Sequence, residues 1–424
     1  MTTDIIAELQ ARNLIAQTTD LAALQEALSA GMVTLYCGFD PTAPSLHLGN
    51  LAQIVTMRRF QLAGHRPLAL VGGATGLIGD PKQSGERNLN PSEVVEGWVQ
   101  LIRTQIEKYF DFSGPNACEV VNNYDWTKGI SAIEFLRDIG KHFPVNRMLD
   151  REAVSARLST VGISYTEFSY VLLQSLDYLE LFRNYNCTLQ IGGSDQWGNI
   201  TAGCDLIRRV ESQSAHALTT PLITKSDGTK FGKTESGTVW LDAEKTSPYA
   251  FYQFWLNADD RDVPTLLNTY SFKTVEEIAA LLSEAEGAPH LRLGQRALAD
   301  EVTALVHGSD AAAAAAFAGK ALFGQADLAE LSNDTLLQAL NEAGLVDVER
   351  VDGQVPSVAD LFVASGITPS KGAARRAVEE GGAYINNEKV VEADAPVSDA
   401  ALLHGGLLVL RRGKKTIAGV RIRG

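Results

Sequence analysis

The chain alternates short, wholly apolar runs with longer stretches in which apolar residues recur every three or four positions. Val33-Thr34-Leu35-Tyr36 is an apolar run of strand length, followed by a turn punctuated by Gly38, Pro41 and Pro44, with Ser45 placed as a helix N-cap. Leu46, Leu48, Leu51, Ile54, Val55 and Met57 then give a helical rhythm that stops at Gly64. Strand, turn and helix in that order open a parallel α/β unit. Arg66 begins a second apolar run, which ends in glycines between Gly72 and Gly79. Glu119-Val-Val and Leu189-Gln-Ile are further short strands, the latter running into Gly192 and Gly193. Ile5–Leu14, Leu21–Ser29 and residues 91–110, 131–140, 141–157 and 164–178 carry helical periodicity. So do Pro248–Leu256, Val263–Leu267, Thr274–Ser283, Leu291–His307 and Ala311–Ala318. Residues 326–356 are polar and acidic with Gly and Pro, which predicts a semi-flexible connection. From Ser357 two short helices precede a hairpin, Gly381–Val390, and a strand, Leu407–Arg411.

A length of 424 residues predicts two to four domains with ample core. No basic-apolar leader opens the chain and no apolar run is long enough to span a bilayer, so the expectation is a cytoplasmic protein with no membrane partner. Cys37, Cys118, Cys187 and Cys204 form no C-x-x-C pair, which signals neither a zinc site nor a disulfide frame. The net charge of −14 argues against indiscriminate nucleic-acid binding, but it is unevenly spread. Residues 357–424 hold 10 Lys and Arg against 7 Asp and Glu, and residues 411–424 hold six basic residues and no acid. A basic tail on an acidic body is the asymmetry expected if one module touches RNA while the body handles small molecules.

Candidate chemistry gathers where predicted strands meet predicted helices. His47, Gly49 and Asn50 fall in the first turn after the first strand, where unpaired N–H groups and the positive dipole end suit a phosphate. No G-x-G-x-x-G follows that strand, so this is not the dinucleotide fingerprint. Asp80 stands at the rim of the second strand, where ligands of such sheets bind, and is placed to hold an ammonium group. Pro81–Asn90 reads as a polar mobile loop whose Lys82 and Arg87 could swing onto a phosphate. Tyr170, Gln174 and Asp177 form a polar stripe along one helix, flanked by Phe168, Leu172 and Leu176 without Lys or Glu, and predict a pocket wall. Gly192 and Gly193 permit close backbone approach, with Asp195 and Gln196 beside them for a ribose and a carboxylate. Pro221–Thr234 breaks from a strand into a Gly-rich loop carrying Lys230 and Lys233, a flexible cationic finger. Phe143 and Arg147 look exposed and available for a subunit contact.

His47-Leu48-Gly49-Asn50 resembles the HIGH signature of class I aminoacyl-tRNA synthetases, with Asn in place of the second His. Lys230-Phe231-Gly232-Lys233-Thr234 resembles the second class signature, KMSKS. Thr368–Val378, with Lys371, Arg375 and Arg376 on one helix, resembles the S4 RNA-binding module, whose basic face would also include Arg411, Arg412 and Lys414. In this order the motifs resemble the bacterial tyrosyl-tRNA synthetases nearly end to end.

That resemblance implies an α/β fold. A Rossmann-like parallel-sheet catalytic domain would span residues 1–222. The KMSKS-type loop and an α-helical domain would follow over 223–325, a connection over 326–356, and a small α+β S4-like domain over 357–424. It implies a tyrosine–tRNA ligase that makes tyrosyl-adenylate from tyrosine and ATP and then charges tRNA(Tyr). Tyr36 and Asp177 would receive the phenol hydroxyl. Asp80, Tyr170 and Gln174 would hold the ammonium, with Gln196 near the carboxylate. Asp195 and Gly192 would lie near the ribose, and Gly38, Asp40, Thr42, His47, Gly49 and Asn50 would face ATP. Lys230 and Lys233 would close over pyrophosphate, with Lys82 and Arg87 in a lid. No cofactor is bound tightly, Mg2+ accompanies ATP, and a homodimer straddled by one tRNA is implied. A tryptophanyl-tRNA synthetase and a catalytically silent RNA-binding paralogue are the alternatives. The Tyr36–Asp177 pair and the S4 tail speak against the first, and intact His47, Asp80, Lys230 and Lys233 against the second.

Overall fold

The computed structural model describes residues 4–81, 85, 89–150, 152–158, 162–229, 231–234 and 237–424, with only the backbone described at 152–153 and 233–234. It divides into two units, and the chain crosses between them more than once. The first comprises residues 1–242 and 259–287, the second residues 243–258 and 288–424.

The first unit is built on a six-stranded sheet. Its strands are β1 (Gln17–Thr18), β2 (Thr34–Phe39), β3 (Arg66–Val71), β4 (Glu119–Asn122), β5 (Cys187–Gly193) and β6 (His216–Thr220). The order is β1-β6-β5-β2-β3-β4, parallel throughout except for the β1–β6 pair. A parallel strand with both faces covered must be apolar on both faces, which is why β2 and β3 read as continuous runs rather than alternating ones. Tyr36, Leu68, Leu70, Leu176, Leu179 and Leu206 share one buried cluster. β2 and β5 are neighbours although about 150 residues of chain lie between them, so their carboxyl ends form the crevice where a ligand of such a sheet binds.

The helix after β2 runs Leu48–Leu62 and is capped by His47, not by Ser45 as the sequence suggests. The Ser45 hydroxyl is drawn instead to the Leu46 carbonyl and the Gln105 side chain. The helix that carries the polar stripe runs Tyr165–Tyr185, starts at a Ser164 cap and ends at Asn186 in the left-handed region. After β6 the chain forms a small hairpin, β7 (Lys233–Thr234) with β8 (Gly237–Thr238). Residues 259–287 return to this unit as helices Val263–Tyr270 and Val275–Gly287. Phe143 packs against the apolar core, so it is not the free contact residue expected, whereas Arg147 is exposed. The four cysteines are unpaired, and three of them are buried.

In the second unit, helices Pro248–Leu256, Leu293–His307, Ser309–Leu322 and Asn333–Ala343 precede a five-stranded sheet. Strands in this region are β9 (Leu345–Glu349), β10 (Val355–Ser357), β11 (Ala383–Ile385), β12 (Glu388–Lys389), β13 (Pro396–Val397), β14 (Leu407–Arg412) and β15 (Thr416–Arg423). The large sheet has the order β12-β11-β14-β15-β9. Residues 326–356 are therefore not a loose connection. Leu336, Ala339 and Leu340 bury one face of helix Asn333–Ala343, and Leu340 lies 2.7 Å from where a Cβ on Gly419 of β15 would stand. β9 pairs in parallel with β15. Its polar composition misled because it is an edge strand whose Asp347 faces out to pair with Arg421 and Arg423. The hairpin β11–β12 turns at Asn386 and Asn387, both with positive φ, as a two-residue primed turn requires.

Candidate active site

Local chemistry at the first helix is set by capping. The backbone N–H of Gly49 donates to His47 Nδ1 at 3.1 Å, and the backbone N–H of His47 donates to Asn50 Oδ1 at 3.1 Å. A neutral imidazole whose Nδ1 accepts must carry its proton on Nε2. Asn50 likewise uses its acceptor and keeps its NH2 as donor. Both signature side chains thus present donors at a helix N-terminus, the combination that suits an anion. Thr42 and Gly49 are exposed beside them, and Gly38 is exposed near the carboxyl end of β2. A Cβ on Gly49 would lie 3.0 Å from the His47 ring.

The loop bearing the second signature reaches this helix start. Gly232, at φ +81°, lies against Leu48, 3.2 Å from an added Cβ to the Leu48 Cβ. The Leu241 N–H donates to the Leu46 carbonyl at 2.9 Å, and Trp240 bridges His47 with their rings 6.3 Å apart. Lys233 follows Gly232 as the first residue of β7. Lys82, Arg87 and Lys230 lie outside the described residues.

Beside the first helix lies a cluster of acids and tyrosines in which Tyr36, Tyr170 and Asp177 are buried and Asp40 and Asp80 half-buried. Tyr36, on β2 and 1% exposed, has a buried hydroxyl with no hydrogen-bond partner among the described residues. Asp177, 2% exposed, accepts from Asn123 Nδ2 and Trp126 Nε1, each at 2.9 Å. Burial pushes its carboxyl up to about 7 against the lowering effect of those two donors. Burial first, and the Asp177 charge next, drive the Tyr36 hydroxyl well above its ordinary pKa. The Tyr170 hydroxyl donates to Asp40 Oδ2 at 2.7 Å, while Thr75 donates to Asp40 Oδ1 at 2.6 Å. Asp40 therefore stands with the acidic cluster as well as near the helix start. After burial, the charges of Asp40 and Asp80 raise the Tyr170 hydroxyl further. Asp80 accepts from Gln196 at 2.9 Å and Asn199 at 3.1 Å. Gln174 Oε1 is buried without a partner among the described residues.

Glycines make room for this network. A Cβ on Gly72 would fall 2.0 Å from Asp40 Oδ1, and one on Gly73 2.4 Å from Asn122 Oδ1. A Cβ on Gly192 would press on Ile200 at 3.0 Å, and one on Gly193 would lie 2.6 Å from Asp195 Oδ1.

Sequence reasoning missed four members. Asn123 and Trp126 hold Asp177, Thr75 holds Asp40, and Gln190 pairs in register with Tyr36 and leaves its Oε1 buried and, among the described residues, unpartnered. Gln190 had a readable signal, a lone amide inside a largely apolar strand. Asn123 and Trp126 had none, because their value appears only once β4 and the stripe helix are side by side.

The basic candidates of the second unit divide in two. Lys371 pairs with Asp360 at 2.5 Å, and Arg375 clasps Asp394 at 2.9 Å. Arg411 stacks on Tyr384, 4.0 Å from the ring centroid, and donates to the Gly413 carbonyl. Arg376, Arg412 and Lys414 are exposed.

Three kinds of likeness bear on this arrangement. Residues 29–324 match the family model for tRNA synthetases class I (W and Y), and residues 338–418 match that for the tyrosine–tRNA ligase SYY-like C-terminal domain. The chain is 61% identical over 424 residues to the tyrosine–tRNA ligase of Streptomyces avermitilis and 60% identical to that of Streptomyces coelicolor, covering 100% of each relative and of itself. Among solved structures, a C-terminally truncated mitochondrial tyrosyl-tRNA synthetase from Aspergillus nidulans superposes with a TM-score of 0.69 at 29% identity, over 76% of this chain and 94% of that one.

Proposed function

Because the chain belongs to the tyrosine–tRNA ligases, we propose that its cluster of acids and tyrosines reads tyrosine while its two signature segments handle ATP. The protein activates L-tyrosine and transfers it to tRNA(Tyr). The observation that carries the site assignment is the unpartnered, buried Tyr36 hydroxyl within reach of the Asp177 charge. A phenol O–H both donates and accepts, so it satisfies the Tyr36 donor and the Asp177 acceptor together. An indole N–H only donates and a phenyl ring does neither, which leaves a desolvated group costing about 1–3 kcal/mol when tryptophan or phenylalanine enters.

Asp80, Tyr170 and Gln174 receive the ammonium, since Asp80 and Asp40 supply negative charge there and Gln174 Oε1 lacks a partner. The tyrosine carboxylate is ionised at neutral pH and needs no general base. One of its oxygens bonds to the α-phosphorus of ATP as the bond from that phosphorus to the bridging oxygen breaks, giving tyrosyl-adenylate and pyrophosphate. His47 Nε2–H, the Asn50 amide and the Lys233 ammonium meet the charge that gathers on the phosphates, with Lys230, Lys82 and Arg87 in the same service. Gly38, Thr42 and Gly49 leave room for ATP, Gly192 and Asp195 border the ribose, and Gln196 lies near the carboxylate. Magnesium arrives with ATP as part of the substrate. Rate enhancement comes from positioning and from charge stabilisation. A terminal ribose hydroxyl of the tRNA then attacks the tyrosyl carbonyl, AMP leaves, and the hydroxyl proton passes to solvent.

Arg376, Arg412 and Lys414 present charge to the tRNA backbone, with Lys371 and Arg375 joining once their acidic partners give way. Arg411 supports the surface through Tyr384. Ile133, Leu136, Val145, Leu149, Leu158 and Tyr165 expose large apolar side chains, which supports burial against a second copy. No helix among the described residues is long and apolar enough to cross a membrane; we place the protein in the cytoplasm, with its tRNA. The direct test is tyrosine-dependent exchange of label between pyrophosphate and ATP. Exchange with tyrosine is expected; absence of exchange, or preference for tryptophan, would overturn the reading.

A further inference from the structure

We propose that helix Val263–Tyr270 is a strut that fixes the lysine-bearing loop over the signature helix, with Asp262 and Tyr270 as its positioning residues. This rests on the reading that Lys233 meets the leaving pyrophosphate. At one end of the strut, Asp262 is 9% exposed and its Oδ1 accepts the Ser226 N–H at 2.8 Å. Ser226 lies in a turn closed by hydrogen bonds between Lys225 and Thr229 and from Gly228 to Lys225, each 2.8 Å, directly before the loop. At the other end, Tyr270 is fully buried, with its ring 6.2 Å from that of Phe231 in the loop. Its hydroxyl donates to the Leu48 carbonyl at 3.0 Å, in the first turn of the signature helix. One eight-residue helix thus holds the chain before the loop, supports the loop itself and bonds to the element the loop must face.

The strut is in turn anchored. Arg59, from the far end of the signature helix, donates to the carbonyls of Asn268 at 3.1 Å, Thr269 at 3.0 Å and Ser271 at 2.7 Å. Arg12 donates to the carbonyls of Lys273 at 2.6 Å, Asn268 at 3.4 Å and Ser271 at 3.5 Å. These carbonyls lie at the negative end of the helix dipole, where cations are favourable. Both arginines are almost wholly buried, and Glu8 faces both, 3.0 Å from Arg12 and 3.7 Å from Arg59. Arg59 and the Tyr270 hydroxyl thus hold the strut to the signature helix near both of that helix's ends, and Arg12 ties it to the helix Ile5–Ala11. The strut keeps the base of the loop in register with His47. A lysine displaced by about 1 Å loses much of its effect on a developing charge, so the consequence falls on the rate.

The test measures tyrosyl-adenylate formation by the full-length chain carrying Tyr270→Phe, Asp262→Ala or Asp262→Asn. Tyr270→Phe and Asp262→Ala should each slow the step about tenfold, the scale of one lost hydrogen bond. Tyrosine KM should stay within about twofold. Asp262→Asn keeps a side-chain oxygen for the Ser226 N–H and should restore most of the rate. In a Lys233→Ala background, Tyr270→Phe should add almost nothing, because both act through one lysine. The proposal is overturned if both variants match the parent, if tyrosine KM rises as much as the rate falls, or if Tyr270→Phe adds in full to Lys233→Ala. A parent without tyrosine-dependent exchange, or a fully active Lys233→Ala, instead removes the reading of the site and this inference with it.

Discussion

Removing the Tyr36 hydroxyl separates its cost in the empty protein from its use in the filled one. In Tyr36→Phe the ring stays, along with its contact to Tyr178 at a centroid distance of 5.2 Å. The lost atom is buried and unpartnered, so the empty wild type carries a desolvation penalty of about 1–3 kcal/mol that the variant escapes. The variant should therefore melt no lower than wild type, and higher if strain is absent. On the proposed reading of the site, the same hydroxyl supplies bound tyrosine with a hydrogen bond worth about 1 kcal/mol. Tyrosine KM in pyrophosphate exchange should rise about fivefold to tenfold. Phenylalanine, which never satisfied that hydroxyl, should bind the variant as well or better, so discrimination falls by more than the loss for tyrosine alone. Scanning calorimetry of the unliganded protein and exchange assays with both amino acids make the comparison. A lower melting temperature with equal losses for the two substrates would refute the argument, since it would mean the hydroxyl serves the fold.

Other outcomes follow from the same geometry. Asp177 titrates near 7 when folded against an ordinary 3.8, so the folded chain holds more protons between those values and stability falls as pH rises through them, by at most about 4 kcal/mol. Urea midpoints of wild type and Asp177→Asn should thus diverge in favour of the variant from pH 5 to pH 8; a gap independent of pH would contradict this. Lys233→Ala should slow adenylate formation far more than it weakens tyrosine binding, and a proportional loss of affinity would count against a role at pyrophosphate. A chain ending at Gly344 lacks the whole five-stranded sheet and should keep tyrosine-dependent exchange while failing to charge tRNA. One ending at Pro356 keeps β9 without its partner β15 and should aggregate, which light scattering would detect. Val145→Asp, at a position 59% exposed, should shift the sedimentation of a dimer towards that of a monomer, and unchanged sedimentation would exclude that face as the contact.

Much of this was readable in the chain because the elements that hold the site are local. Strand β2, the helix that follows it and the stripe Tyr170, Gln174 and Asp177 each announce themselves within about 15 residues, by apolar runs and by period. What lay hidden depends on neighbours far off in sequence. His47 capping its own helix could be seen only once Ser45 was found turned to Gln105. The grip of Asn123 and Trp126 on Asp177 joins residues more than 50 positions apart. β9 read as a polar connection because an edge strand shows the solvent half of its side chains, and its partner lies about 70 residues downstream. The lysine loop looked like the start of a helical domain, yet residues 259–287 return to the first unit, a detour that no contiguous pattern reports.

That detour bears on how the protein is made. A nascent chain leaving the ribosome has all six strands of the first sheet in hand by residue 220, yet the helix that Arg12 and Arg59 await emerges only after residues 243–258, which belong to the other unit. Until then two guanidiniums destined for burial have no carbonyls to hold them. The earliest-made half of the enzyme therefore waits in an unfinished state, and a pause in translation before residue 270 would leave it open to chaperones and proteases.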